Sequence, residues 1–276
     1  MADGAACGSL RDIALRQAAL TSVVHRRDRM SIASHRRYVL VLAGLFAALF
    51  LMLAANPVDR AVWLIENTLV VAVVLVLAAT YYRFPFSRVS YTLIFAFLCL
   101  HEIGSHYTYA DVPYNAWWQR VFGFSLDGTL GFQRNHYDRF IHFFYGLFIA
   151  YPVREVFVRI ANVRGFWGYF LPLDLTMSTS MLFELLEWIV AELFGGELGP
   201  SYLGTQGDVW DAHKDMALAS LGALIIMVTT ALMNYRFRRD FAAEWADSLR
   251  VKRRRPLGES AVPRLLRKWL TDAGGK

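Results

Sequence analysis

The chain has 276 residues, 56% of them hydrophobic and 15% aromatic, with a formal net charge of +6. Apolar residues gather in runs of 18 or more, which excludes an ordinary soluble domain and predicts helices that cross the ~30 Å hydrocarbon core of a bilayer. The basic residues sit beside those runs, so the charge excludes nucleic acid and names membrane lipids as the partner. Cys7 and Cys99 alone exclude a disulfide framework and a CxxC metal site.

Residues 1–37 are polar and basic and read as a cytoplasmic N-terminal segment. The first apolar run, "YVLVLAGLFAALFLMLAA" at 38–55, is too long for a signal-peptide core, and Leu53 spoils the small-residue cleavage pattern. It predicts an uncleaved first span. Further spans are expected over about 61–80, 89–107, 138–153, 168–194 and 212–235. Residues 38–235 then form a six-span membrane domain, and 236–276 a basic cytoplasmic tail. The fold class is all-α, a polytopic membrane helix bundle with about six transmembrane helices.

Positive residues mark the cytoplasmic side. Arg36 and Arg37 precede the first run, Arg83 and Arg88 separate the second and third, and Arg154, Arg159 and Arg164 separate the fourth and fifth. The tail carries "KRRR" at 252–255, whereas the alternate loops hold only Arg60, Arg120 and Arg134. This alternation puts both termini inside and the long 108–137 segment outside. Within that segment "YNAWWQRVFGF" reads as a short interfacial helix or as a plain aromatic belt. "VPRLLRKWL" at 262–270 reads either as a surface helix on anionic lipid or as part of the topology signal.

On this map the acids and histidines of the spans fall in the outer half, Asp174 near the inner start of span five excepted. Span three ends with Glu102 and His106, and span four starts with Asp138 and His142. Span five carries Glu184 and Glu187 late, and span six opens on "GDVWDAHKDM" with Asp208, Asp211 and Asp215. Spacings of three and four residues place each set on one helix face. Charges inside a bilayer cost at least ~2.5 kcal/mol each on insertion scales and therefore face the bundle interior. Clustered carboxylates must take up protons or be balanced by a cation. Oxygen and imidazole donors suit zinc, manganese or iron, and oxygen alone suits magnesium. Asp208 also reads as a helix cap, Glu66 as a hydrogen-bonded core group, and His101 and His136 as structural or interfacial.

"HEIGSHYTYADVPY", "RNHYDRFIHFFYGL", "FELLEWI" and "YLGTQGDVWDAHKDM", spanning about residues 95–225, resemble the YjdF-like family of bacterial inner-membrane proteins, a domain of unknown function. The resemblance implies a multi-pass inner-membrane protein and no established activity. "DVWDAHKD" is also similar to the aspartate motifs of UbiA-type prenyltransferases, but it occurs once, without a second DxxxD, and on the outer side.

The expected site is a divalent-metal centre with His106, His142, Glu187, Asp211 and Asp215 as ligands. Asp138 or Glu184 would serve as general base or orienting group. It would act hydrolytically on a lipid-like or periplasmic small molecule. Two other readings stay open: a cation- or proton-coupled transporter using the same groups, and a structural membrane protein whose polar cluster locks the helices.

Overall fold

The computed structural model describes residues 32–194, 206–252 and 262–273. The described chain is helical throughout, without a strand. In order the helices are α1 (Ile32–Ala54), α2 (Arg60–Thr80), α3 (Arg88–His106), α4 (Tyr114–Phe122), α5 (Leu126–Leu130), α6 (Tyr137–Arg159), α7 (Trp167–Phe194), α8 (Asp211–Phe237), α9 (Phe241–Ser248) and α10 (Val262–Ala273).

Local chemistry sets most of these boundaries. Asp59 starts α2, its Oδ1 accepting from the amides of Ala61 (2.7 Å) and Val62 (3.0 Å). Ser87 does the same for α3, accepting from Ser90 N at 3.2 Å. Gly123 and Gly131 close α4 and α5 in the left-handed region, at φ of 80° and 71°, where a residue without Cβ fits best. The expected fourth span ends at 153, yet α6 runs on to Arg159. Pro152 is tolerated inside it, and the extra turn is tied down at Glu155, which accepts from Ser87 N (2.9 Å) and from Arg159 Nη1 (2.6 Å). α5 and α9 have no counterpart in the sequence reading.

Four of these helices, α1, α2, α6 and α8, are long and apolar enough to cross a membrane. α3 and α7, with 19 and 28 residues, pack into the same bundle but are diluted by polar groups, among them His101, Glu102 and Ser105 on α3 and Thr176, Ser180, Glu184 and Glu187 on α7.

α6 is the hub. It packs most extensively on α8 and also on α3 and α7; α8 touches α7, and α2 packs on α3. α1 is fastened by a few bonds, including His35 Nε2 to the Phe86 carbonyl (2.9 Å) and Tyr38 Oη with Thr92 Oγ1 (2.5 Å).

The α6–α8 contact depends on small residues. A Cβ on Gly146 would lie 1.8 Å from the Ala219 carbonyl oxygen, and one on Gly222 would lie 2.1 Å from that of Phe143. Ala150, Ala219 and Ala223 beside them are wholly buried. Backbone therefore meets backbone, the close approach that small residues permit in membrane helices. Further along, Ala223 and Met227 join Ala150 and Tyr169 in a core against which Phe241 and Trp245 of α9 pack.

Candidate functional site

The close crossing of α6 and α8 continues into charged residues. On α6, Asp138, His142, Gly146 and Ala150 follow one another at four-residue intervals; on α8 the same spacing links Asp211, Asp215, Ala219 and Ala223. A stripe at this interval stays on one helix face. The glycine and alanines that let the backbones touch thus bring both pairs of polar residues to the same interface, one turn further along. α7, which packs on both helices, adds Glu184 and Glu187.

Asp138, His142 and Asp215 form the centre. Each offers a ligand atom, and those atoms lie within 4.8 Å of one another. His142 Nε2 is 3.7 Å from Asp138 Oδ1 and 3.3 Å from Glu184 Oε1. Asp215 is 2% exposed, and its Oδ1, like Glu184 Oε1, is buried without a hydrogen-bond partner among the described residues. Glu187 is also buried and lies within electrostatic reach of Asp138, Glu184, Glu66 and Asp215.

A rim of cations stands at the N-terminal ends of α6 and α8. Arg134 pairs with Asp211 and lies 3.7 Å from Asp208; Arg139 pairs with Asp208 and lies 3.3 Å from Asp211 Oδ1. Lys214 Nζ donates to Asp208 at 2.6 Å. The Lys214 bond, the Trp210 amide at 3.0 Å and Arg139 hold the Asp208 carboxyl well below the usual carboxylate range. His136 stacks on Phe132 at 3.9 Å and bridges the arginines: Nδ1 is 2.8 Å from the Arg134 carbonyl, and Nε2 accepts from Arg139 Nη1 at 2.8 Å. Burial pushes its imidazole below the ordinary value, against the pull of the Arg134 carbonyl, and the two guanidiniums lower it further.

A second polar group joins α2 and α3. Tyr109 Oη and His101 Nδ1 are 2.7 Å apart, and His101 Nε2 faces Glu66 Oε2 at 3.9 Å. Asn67 Nδ2 donates to the Trp63 carbonyl and to Ser105 Oγ. Glu102 is fully buried, and neither carboxyl oxygen has a hydrogen-bond partner among the described residues.

Of the residues expected to act together, the structure gathers Asp138, His142, Glu184, Glu187 and Asp215. Asp211 stands at the edge, held by two arginines. His106 is used elsewhere: its Nδ1 lies 2.7 Å from the Leu53 carbonyl at the end of α1, and its ring is edge-on to Tyr107 at 4.5 Å. In the sequence Arg134 reads as a topology signal alone, and Arg139 and Tyr109 carry no site assignment. "RNHYDR" places a cation four residues before and one after Asp138, which was signal enough to expect an acid partner nearby.

The family described as "Predicted membrane protein (DUF2238)" matches residues 38–236, a stretch that begins in α1 and ends in α8. The inner membrane protein YjdF of Escherichia coli (strain K12) is 41% identical over 184 residues, covering 66% of this chain and 84% of that protein. No solved structure matches. With a family match across the whole helical core and a relative this similar, the chain belongs to the DUF2238 family of predicted membrane proteins.

Proposed function

We propose that this chain is a six-span inner-membrane protein with both ends in the cytoplasm, and that Asp138, His142 and Asp215 hold a divalent metal at its outer end. One observation carries the metal reading: three ligand atoms of suitable type within 4.8 Å, on two helices whose backbones are locked together. Two metal–ligand bonds of ~2.0–2.2 Å span about 4 Å, so small side-chain rotations close the set around one ion. The charge pattern points the same way. Among the described residues no lysine or arginine lies within ion-pair distance of Asp138, Glu184, Glu187 or Asp215, whereas Asp208 and Asp211 are paired.

Two carboxylates and one imidazole leave coordination positions open, the arrangement of catalytic rather than structural metal sites. A metal held there would lower the pKa of a bound water, and Glu184, beside His142, stands where a general base would act. Hydrolysis of a membrane-borne substrate is therefore the reaction class this site supports best. The arginine distribution supports the orientation, and the relative described as an inner membrane protein supports the location.

Elemental analysis of the purified chain tests the metal. About one ion per chain is expected, lost in Asp138→Asn/Asp215→Asn, with Tm falling on chelation in the first protein only. Near-zero metal in both refutes the reading.

A further inference from the structure

Beside this site an apolar cleft of about 480 Å³ opens between α2 and α7, floored by α3 and α6. α2 and α7 flank it and pack on one another at most marginally. The rim is apolar and exposed, with Leu69 at 49% and Leu182 at 52%. The floor is apolar and buried, through Ile94, Leu98 and Ile141. In a membrane such a rim faces hydrocarbon, so the cleft is entered sideways. It runs along α6 from Asp138 to Val156, about 27 Å at the ~1.5 Å rise of a helix, most of the ~30 Å hydrocarbon thickness. The volume suits a drug-sized or lipid-sized guest rather than a single ion.

The two ends of the cleft differ. Toward Val153 and Val156 the lining is apolar; at the other end stand Asp138, His142, His101 and Tyr109. Polar atoms are left waiting there. Ser180, 1% exposed, and His101, 5% exposed, both line the cleft, and neither Ser180 Oγ nor His101 Nε2 has a hydrogen-bond partner among the described residues. Arg139 is not among the residues lining the cleft and pairs with Asp208 and Asp211 at the rim, where its buried Nε–H likewise has no partner among the described residues. Buried donors and acceptors without partners are uncommon in native folds and point to a ligand that completes them. A fully apolar guest would leave them unsatisfied, and a small polar one would leave the long apolar floor bare.

We propose that the cleft takes one phosphate-bearing lipid sideways from the bilayer, its hydrocarbon chain lying along α6 and its headgroup at the Asp138–His142–Asp215 end. The guest is an amphiphile because the cleft is one. A phosphate is the headgroup chemistry that suits both a bound divalent ion and a guanidinium donor. The headgroup's place rests on the metal reading above, and the chain's place does not.

Phospholipids carrying a diazirine at a chosen depth in one acyl chain, incorporated in nanodiscs with the full chain, test this. A diazirine near the ester is expected to label Ile141 and Tyr145, and one near the terminal methyl Val153 and Val156. Leu98, buried in the floor, should be labelled by more than one probe. Val73→Trp, which fills the cleft from α2, is expected to cut floor labelling at least fivefold while leaving the outward Leu224 of α8 unchanged. Leu182→Trp at the opposite rim gives an independent blockade should the first variant unfold. Labelling confined to outward faces, depth order reversed, or floor labelling untouched by both variants overturns the proposal. Metal content of the same samples separates the two readings. Floor labelling without metal sinks the metal site alone, and metal without floor labelling sinks the lipid.

Discussion

Gly146→Ala is the sharpest test of how the fold builds the site. The added methyl carbon would stand 1.8 Å from the Ala219 carbonyl oxygen, about 1.2 Å short of the 3.0 Å below which real Cβ contacts essentially do not occur. The obstacle is backbone, and Ala219 and Ala223 leave no side chain that could swing aside. α6 and α8 must therefore separate or slide. Overpacking of this kind costs ~1–3 kcal/mol. At roughly 2–4 °C per kcal/mol for a chain of this size, Tm in detergent should fall by about 2–12 °C. The same displacement acts one turn away, where Asp138 and His142 face Asp215. A shift of about 1.2 Å is large beside the few tenths of an ångström that ligand distances tolerate. Metal affinity should thus fall although no ligand has been touched. Differential scanning fluorimetry with and without chelator, paired with elemental analysis, reads both effects. If Gly146→Ala melts and binds metal like the parent while Gly44→Ala, whose Cβ would meet nothing within 4 Å, does the same, the proposed link between crossing and site is wrong.

Three further outcomes follow from the rim and the topology. His136 is held neutral by burial and by its arginine neighbours, so the unfolded chain takes up a proton first as the pH drops. Stability from this group should be intact at pH 7 and decline as the pH falls below the ordinary histidine value of about 6.5, with His136→Gln flattening that decline in Tm-against-pH curves. Arg139→Met removes charge-assisted bonds to Asp208 and Asp211 and should lower stability by ~1–3 kcal/mol in denaturant titrations while leaving the metal bound. With Cys7 and Cys99 removed, a single cysteine at Thr129 should react with a membrane-impermeant maleimide in cells whose outer membrane is permeabilised, and one at Asn162 only after lysis.

The helices were legible in the sequence because their signals are local. Apolar runs between arginines mark the six long helices, with Asp59 and Ser87 as caps. Observed and expected ends differ by a residue or two except at the start of α1, six residues early at Ile32, and the end of α6; the short α5 and α9 carry no such signal. The acids and imidazole of the centre were legible for the same reason, since Asp138 and His142, or Glu184 and Glu187, declare a shared face by spacing alone. What spacing cannot declare is a partner on another helix. Glu102 and His106 are spaced as well as any pair, yet Glu102 is sealed in the bundle and His106 turns to the Leu53 carbonyl of α1. Asp211 looked equivalent to Asp215, and two arginines 72 and 77 residues earlier in the chain make them different. The Gly146–Gly222 crossing was equally hidden, because a glycine's importance lies in the backbone it meets.

That difference between Asp211 and Asp215 bears on function. A bundle using acids only to fasten its helices would match each to a cation or a donor, as it does at Asp208, Asp211 and Glu155. Around His142 that practice stops: among the described residues Asp138, Glu184 and Asp215 lie about a single imidazole with no lysine or arginine in ion-pair distance, and one oxygen each of Glu184 and Asp215 is buried without a hydrogen-bond partner. On the metal reading proposed above, a cation from outside the chain would complete this arrangement. The arginine rim holds the ends of α6 and α8 together and, on that reading, would keep two of the six acids out of competition for the cation. Beyond Tyr145, Thr179 and Ser180 the adjoining cleft continues into apolar side chains such as Ile149, Val153 and Val156, which offer a cation no next site. On the metal reading an ion held at this position would therefore stay there rather than pass on, and on the lipid proposal the cleft would take hydrocarbon.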